Sequence, residues 1–286
     1  MTSERTDQHR RAVTFRHLHE TPHPFVVANA WDAGTSRLFA RLGFAALATT
    51  SGGLALSLGR PDGANLVSRQ EALDNLRAIA AATDLPVTAD LESGFADDED
   101  GVGETIRLAA GAGAAGGSVE DTTGDPAAPV RPLAEAAGRV RAAVAAARSL
   151  PFPFTLTARA DNFLHGRPDL DDTIRRLQAY EEAGADVLYA PGLPDLAAVR
   201  AVCAAVSRPV NALAGSLPEM TVARLGECGV RRVSVGSALA RAALSAAWRA
   251  AREVREHGTF GFAAGTLSLA EVNRFWAGGV APAVPA

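Results

Sequence analysis

The sequence predicts an α/β protein folded as a single (β/α)8 TIM barrel, on three observations. Short apolar, β-branched runs alternate with helix-period stretches eight times in succession. The helices are closed just before a strand by a glycine (Gly43, Gly113, Gly184, Gly229) or by a turn ending in proline (Pro86, Pro151, Pro209). The first strand is followed by Asn29-Ala30-Trp31-Asp32, without the glycine fingerprint that an open, doubly wound sheet would lead one to expect. Eight parallel strands joined by right-handed crossovers close naturally into a barrel.

The elements follow in order. Behind a polar N-terminal arm, Pro24–Asn29 reads as the first strand and Asp32–Leu42 as the first barrel helix. Ala45–Thr50 is the second strand, and Ser51–Val67 reads as a long glycine-rich loop carrying Asp62. Ser68-Arg69-Gln70-Glu71 is a capping box that opens a helix to about Thr83. Pro86–Asp90 is the third strand, followed by the acidic loop Asp97–Asp100 and a helix to about Ala110. Gly117–Glu120 is the fourth strand, and an alanine-rich helix ends near Arg148. Phe152–Arg159, Val187–Ala190, Val210–Leu213 and Arg232–Val235 supply the remaining strands. Helices are expected at Leu170–Ala183, Asp195–Val206, Thr221–Cys228 and Ser237–His257. Residues 1–257 are thus expected to form the barrel with its arm, and 258–286 a helical extension (about Ser268–Trp276) with a disordered Pro/Ala end.

Composition narrows the function. Hydrophobic residues make up 48% and charged residues 21%, and the net charge of −4 leaves no basic footprint for nucleic acid or an anionic membrane. No apolar run approaches the roughly 20 residues of a membrane span, and the N-terminus lacks the apolar stretch of a signal peptide. Two cysteines, Cys203 and Cys228, cannot build a disulfide framework, so a reducing cytoplasmic setting is expected.

A barrel carries its chemistry at the carboxyl ends of its strands. Those ends read Asn29; Thr49, Thr50 and Ser51; Asp90 and Glu92; Glu120 and Asp121; Arg159 and Asp161; and Asn211. In Pro86–Phe95 the strand runs into Asp90-Leu91-Glu92, whose alternate carboxylates would share one side of an extended chain before Ser93-Gly94 breaks it. Carboxylates on adjacent strands repel one another unless a cation holds them, and hard oxygen donors with retained waters suit Mg2+, or Mn2+ in its place. A simpler reading makes Asp90 a helix cap and Glu92 a solvated acid. Arg159 could grip a carboxylate or phosphate, or serve as the structural partner of Asp161 or Glu120. Asp62 could sit in a Pro-Asp-Gly turn with Gly63, or act on a lid. His165 could be a rim acid/base or a solvated loop histidine. The four histidines His9, His17, His19 and His23 show no metal spacing.

Five strings together resemble the isocitrate lyase/phosphoenolpyruvate mutase superfamily: Asn29–Ala33, Thr49–Gly53 leading to Leu58–Asp62, Asp90–Phe95, Ser118–Asp121 and Thr157–Asp161. The resemblance, running from about Phe15 to His257, implies a Mg2+-dependent barrel that makes or breaks C–C or P–C bonds beside a 2-oxo acid, through a metal-stabilised enolate. It implies that Asp90, Glu92 and Glu120 hold the metal, mostly through water. It implies that Arg159 contacts one end of the substrate, that the turn at Thr50, Ser51 and Gly52 receives a carboxylate, and that Asp62 rides a mobile lid. Asn211, at the end of the seventh strand, is expected to join the substrate-binding set. It also implies a homo-oligomer, a dimer of dimers, whose last helix packs on or swaps with a neighbouring subunit.

The departures are informative. The loop after the fourth strand reads Asp121-Thr122-Thr123-Gly124-Asp125-Pro126, without the Lys-Lys-Cys-Gly-His segment of the isocitrate-type lyases. It also lacks the asparagine of the mutases, and Tyr189-Ala190-Pro191-Gly192 stands where they carry a histidine. The expectation is therefore a carbon–carbon lyase or decarboxylase for a small 2-oxo or 2-hydroxy dicarboxylate. The alternatives are phosphonopyruvate-type P–C chemistry, or a phosphate-binding barrel acting on a sugar phosphate through Ala212–Gly215 and Val235–Ala238. A barrel that binds without catalysis is a third.

Overall fold

The computed structural model describes residues 3–215 and 220–279. Eight strands, β1 (Phe25–Asn29), β2 (Ala46–Ala48), β3 (Val87–Asp90), β4 (Gly116–Glu120), β5 (Thr155–Arg159), β6 (Val187–Tyr189), β7 (Val210–Leu213) and β8 (Arg232–Ser234), pair in sequence order. Every pairing is parallel, and β8 returns to β1 with Val26 beside Val233, which closes the expected (β/α)8 barrel. The strands are short, and β1, β2 and β6 are nearly continuous in apolar residues, as suits strands covered on both faces, while β3, β4, β5, β7 and β8 carry Thr, Ser, Asn, Asp, Glu or Arg.

The helices between them are α2 (Ala33–Arg41), α3 (Ser51–Ser57), α4 (Arg69–Ala81), α5 (Glu99–Gly111), α6 (Leu133–Arg148), α7 (Leu170–Glu182), α8 (Leu196–Ala205) and α9 (Val222–Glu227). Their starts follow the local chemistry. Asp32, Ser68, Asp98, Asp169 and Asp195 each accept a hydrogen bond from the third residue of the helix they open. At Ser68 the capping box is complete, with Glu71 returning to the Ser68 backbone N–H at 2.9 Å. The glycines expected to stop helices do so at positive φ, from 89° at Gly43 to 101° at Gly113.

Two segments differ from the sequence reading. The polar arm is a helix, α1 (Ser3–Glu20), and it closes the amino-terminal end of the barrel. Ala12, Phe15 and His19 recur at helical spacing and are buried, with Gln8, Arg11 and Leu18 half-buried beside them. Phe15 packs edge-on against Phe25 and fills the place a side chain at Gly116 would need, 3.0 Å from an ideal Cβ there. So few inward residues leave almost no apolar signal. The second difference is Ser51–Val67, which begins as helix α3 rather than as loop, because Thr50 caps it through the Gly53 N–H at 3.2 Å. The loop proper is 58–67, and Arg60 gathers it by donating to the Leu66 carbonyl and pairing with Glu71 at 2.8 Å.

Inside the barrel, near its closed end, lies Arg232, fully buried. Its Nε donates to Asn211 Oδ1 (2.9 Å) and its Nη2 to Thr157 Oγ1 (3.0 Å), and Nη1 lies 3.5 Å from His19 Nε2. Burial lowers its affinity for a proton to about 10.

Residues up to Ser237 form one compact unit and those from Ala238 a second. The second unit contains α10 (Ala238–His257), a 3-10 turn (Gly261–Gly265) and α11 (Leu269–Trp276), the last with its own capping box from Ser268 and Glu271. The part of the expected disordered Pro/Ala end at 280–286 lies outside the described residues. No helix among the described residues is long and apolar enough to cross a membrane.

Candidate active site

Parallel register brings the site together. Glu120 and Arg159 are lateral neighbours at the ends of β4 and β5, and Arg159 is beside Tyr189 at the end of β6. Arg159 Nη1 is 3.0 Å from Glu120 Oε2 and 3.8 Å from Asp90 Oδ1. Its Nε and Nη2 make a two-pronged bond with Asp161, at 2.6 and 2.7 Å, and its Cζ stands 5.4 Å from the centre of the Tyr189 ring. Burial opposes the guanidinium charge, yet Asp161 and Glu120 hold its pKa well above the ordinary arginine value. Arg159 is thus a structural partner of Asp161 and Glu120, and it also lines the cavity over the strand ends.

Asp90 is fixed from one side. Its Oδ2 accepts from both the Ser51 N–H (3.0 Å) and the Ser51 hydroxyl (2.8 Å), and its own N–H donates to Thr49 Oγ1 (2.8 Å). The other oxygen, Oδ1, is buried with no hydrogen-bond partner among the described residues. Ser51 therefore orients Asp90, and its N–H is already used. β3 stops at Asp90, and Glu92 adopts a left-handed backbone with φ 48°, so strand alternation is not what presents it. The turn does, with Leu91 buried beneath. Burial, then Asp90, Glu120 and Asp62, push the Glu92 carboxyl up to about 8. Glu120 is raised in the same sense by burial despite Arg159, and it accepts from Thr122 Oγ1 at 2.8 Å.

Asp62 leans over this group from the 58–67 loop. An ideal Cβ at Gly52 would lie 2.6 Å from Asp62 Oδ2, and Asp62 Oδ1 accepts from the Gly63 N–H at 3.0 Å. The turn and the approach to the site therefore coexist. Burial and Asp90 raise the Asp62 pKa.

Two residues at the strand ends have different duties. Asp121 turns away from the rim: Oδ1 accepts from the Asp161 N–H (2.8 Å), and Oδ2 from Tyr180 (2.7 Å) and Arg176 (3.1 Å). It supports Asp161 and, through it, Arg159. Asn211 has both polar groups engaged, with Arg232 and with Ser234 Oγ (2.9 Å), in a small cavity of about 60 Å³ below the rim. Thr50 caps α3. Of the phosphate grip expected at Ala212–Gly215 and Val235–Ala238, the Val235 and Gly236 N–H groups are already used, since both donate to Asn29 Oδ1 at 3.0 Å. Sequence reasoning missed Tyr189 as a cation–π partner and Asn29 as a tie between β1, β2 and β8.

Above the carboxylates is a cavity of about 350 Å³, whose inner wall includes Ser51, Asp62, Glu92, Glu120 and Arg159. Asn65, Gly124, Pro126, Pro129, Leu164 and His165 line its outer part. Among the described residues no three His, Cys, Asp or Glu side chains converge closely enough to ligate one ion directly. Mg2+ commonly takes one or two carboxylates and keeps several waters, so this donor set with its unpaired Asp90 oxygen fits that mode of binding.

The sequence profile of phosphoenolpyruvate phosphomutase matches residues 15–255. A Burkholderia cenocepacia J2315 protein provisionally assigned as a lyase or mutase is 52% identical in sequence, with a TM-score of 0.92, and the match covers 96% of this chain and 98% of that one. Oxaloacetate decarboxylase of Marinomonas sp. strain MWYL1 is 31% identical over 94% of this chain and 96% of its own. A phosphonopyruvate hydrolase, solved with oxalate and Mg2+, is 25% identical with a TM-score of 0.84, covering 93% of this chain and 95% of the other.

Proposed function

The chain belongs to the phosphoenolpyruvate phosphomutase family, and from that premise we propose that it is a carbon–carbon lyase or decarboxylase acting on a small 2-oxo or 2-hydroxy dicarboxylate. The observation that carries the reading is the orphaned Asp90 Oδ1, buried among Asp62, Glu92 and Glu120 beside an arginine already paired with Asp161. Carboxyl groups there outnumber the cationic partners the protein supplies, and their mutual repulsion supports a divalent cation held at Asp90, Glu92 and Glu120. When bound, Mg2+ supplies Lewis-acid stabilisation of negative charge developing on the substrate's oxygens.

The chain's own residues do the rest. Ser51 fixes the direction of Asp90 with two hydrogen bonds. Arg159, pinned by Asp161, offers Nη1 to a substrate carboxylate at the inner end of the cavity. Asp62, closed over Gly52, helps exclude water while the carbanionic fragment exists. The loop at 121–126 brings no thiol, amine or imidazole to the site, so proton delivery by the cysteine of the isocitrate-type lyases has no counterpart there. The similarity to an oxaloacetate decarboxylase supports a 2-oxo diacid core in the substrate.

The test is a turnover screen with Mg2+, with Mn2+ and with chelator, over oxaloacetate, malates substituted at C2 or C3 and phosphonopyruvate. Metal-dependent release of pyruvate or glyoxylate is expected. Phosphate release from phosphonopyruvate would move the protein to P–C chemistry, and silence across the panel overturns the proposal. We place the enzyme in the cytoplasm, consistent with Cys203 and Cys228 both being free thiols. We also propose a homotetramer built from dimers, on the exposed apolar residues of α10 discussed below.

A further inference from the structure

The outer half of the 350 Å³ cavity takes no part in the chemistry above. At about 10–15 Å³ per water-sized group its volume has room for roughly 23 to 35 of them, whereas oxaloacetate has about nine heavy atoms. A four-carbon acid seated at Arg159 would leave that half empty.

The polar groups that line the cavity outside the carboxylate cluster divide into two sets. Ser51 is committed to Asp90, Thr122 to Glu120, Asp161 to Arg159, and Asp125 to its own turn through the Ala127 N–H at 2.9 Å. The carboxamide of Asn65 and the imidazole of His165 have no hydrogen-bond partner among the described residues. Both are placed by built features. Asn65 has φ 52°, a left-handed conformation that costs a non-glycine residue, and its Nδ2 lies 2.1 Å from where a Cβ at Gly124 would be. Only a residue without a side chain at 124 lets the carboxamide sit there. His165 is carried on a turn that starts at the arginine's own anchor: its N–H donates to the Asp161 carbonyl (3.2 Å), and the buried Asn162 ties that turn to Thr173 at 2.6 Å. Leu164, Pro126 and Pro129 add apolar surface to the same cavity wall.

We infer that Asn65 and His165 are specificity-determining residues that together read a hydrogen-bond-accepting group, such as a second carboxylate, at the end of the substrate remote from Arg159. The substrate class is then a 2-oxo or 2-hydroxy diacid longer or more substituted than a four-carbon acid. Both side chains can donate, and two donors on a wall that also carries apolar side chains match a carboxylate beyond a short alkyl segment. The inference rests on the proposed function, because that reading fixes which end of the substrate is inner.

Two unreactive probes separate the halves of the cavity. Oxalate, with Mg2+, can occupy only the inner end; 2-oxoglutarate presents the same 2-oxo acid with a distal carboxylate. Titration calorimetry on wild type, Asn65→Ala and His165→Ala is expected to leave oxalate affinity within about twofold, while each substitution weakens 2-oxoglutarate by about tenfold, the worth of one hydrogen bond to a charged group. Unchanged oxalate binding also reports that each variant is folded. Oxalate binding with 2-oxoglutarate unaffected in both variants overturns this inference alone. Equal weakening of both probes overturns it as well, by assigning the two residues to the scaffold. Failure of oxalate to bind the wild type removes the parent reading and this one together.

Discussion

Ser51 donates its backbone N–H and its hydroxyl to the same oxygen of Asp90, leaving the other carboxylate oxygen buried without a hydrogen bond among the described residues, 3.8 Å from Arg159 Nη1. A carboxylate held on one side and free on the other is set up to give its second oxygen to something the protein does not supply. Asp90→Asn should abolish metal-dependent turnover with the circular-dichroism spectrum unchanged. Ser51→Ala removes the 2.8 Å hydroxyl bond but keeps the N–H bond. It should raise the Mg2+ concentration for half-maximal activity by about tenfold, with most of kcat restored at saturation, as expected for a residue that orients a ligand. Wild-type Mg2+ dependence in both variants would remove Asp90 from the metal site.

The packing of Asp62 on Gly52 gives a second test. A Cβ at position 52 would lie 2.6 Å from Asp62 Oδ2 and 3.1 Å from Ser237 Cβ. The carboxylate ends a flexible side chain on a surface loop, so Gly52→Ala should displace Asp62 rather than unfold the barrel. Asp62→Asn keeps the turn bond to Gly63 but removes the charge, and kcat should fall by about tenfold or more with KM changed little. Gly52→Ala should lower kcat in the same way, with Tm nearly unchanged. In an Asp62→Ala background it should add nothing, since the group it displaces is gone. Multiplying losses, or near-wild-type kcat in Asp62→Asn, would refute the closing role.

Much of this was legible in the chain. The barrel followed from eight repeats of one pattern, and Asp90, Glu120 and Arg159 followed from being strand ends, because in a barrel the ends of adjacent strands are neighbours in space. The duties of polar residues were less legible. Asp121 and Glu120 are consecutive acids, and only the alternation of the strand end sends one to the rim and the other to Tyr180 and Arg176. Asn211 sits where a ligand group is expected, but Arg232, 21 residues later and beside it across β7 and β8, takes its oxygen. Helix α1 escaped notice because its inward face is three residues wide, one of them a histidine. Ala12 and Phe15, with His19 one turn on, were the available signal.

Helix α10 carries the prediction on assembly. Leu244 and Trp248 are 47% and 65% exposed at a spacing of four residues, and Val254 is 38% exposed further along. Apolar side chains of this size on one helix favour contact with another protein surface, and tryptophan is prominent at the centres of such contacts. The expected partner is a second copy of the chain. Light scattering at micromolar concentration should give a tetramer for the wild type, and Trp248→Glu should shift it to smaller species. A monomeric wild type would contradict the assembly.

His19 predicts how the fold responds to acid. Its ring is buried beneath the barrel, with Nδ1 2.8 Å from the Phe15 carbonyl and Nε2 facing Arg232. Burial, and then the charge of Arg232, lower its pKa from 6.5 to about 3, so the folded protein holds it neutral. The unfolded chain takes up a proton below about pH 6.5 while the folded chain does not. The stability that His19 contributes is therefore intact above pH 6.5 and is lost as the pH falls from there toward 3. His19→Gln cannot titrate, so whatever it costs at pH 7 should shrink at pH 5 by about 2 kcal/mol relative to the wild type. Carboxylates titrate in both proteins and cancel in the difference. Urea unfolding of both proteins at pH 7 and pH 5 measures it. Parallel losses of stability would mean that His19 is protonated in the folded state, beside a buried arginine that has no carboxylate among its hydrogen-bond partners in the described residues.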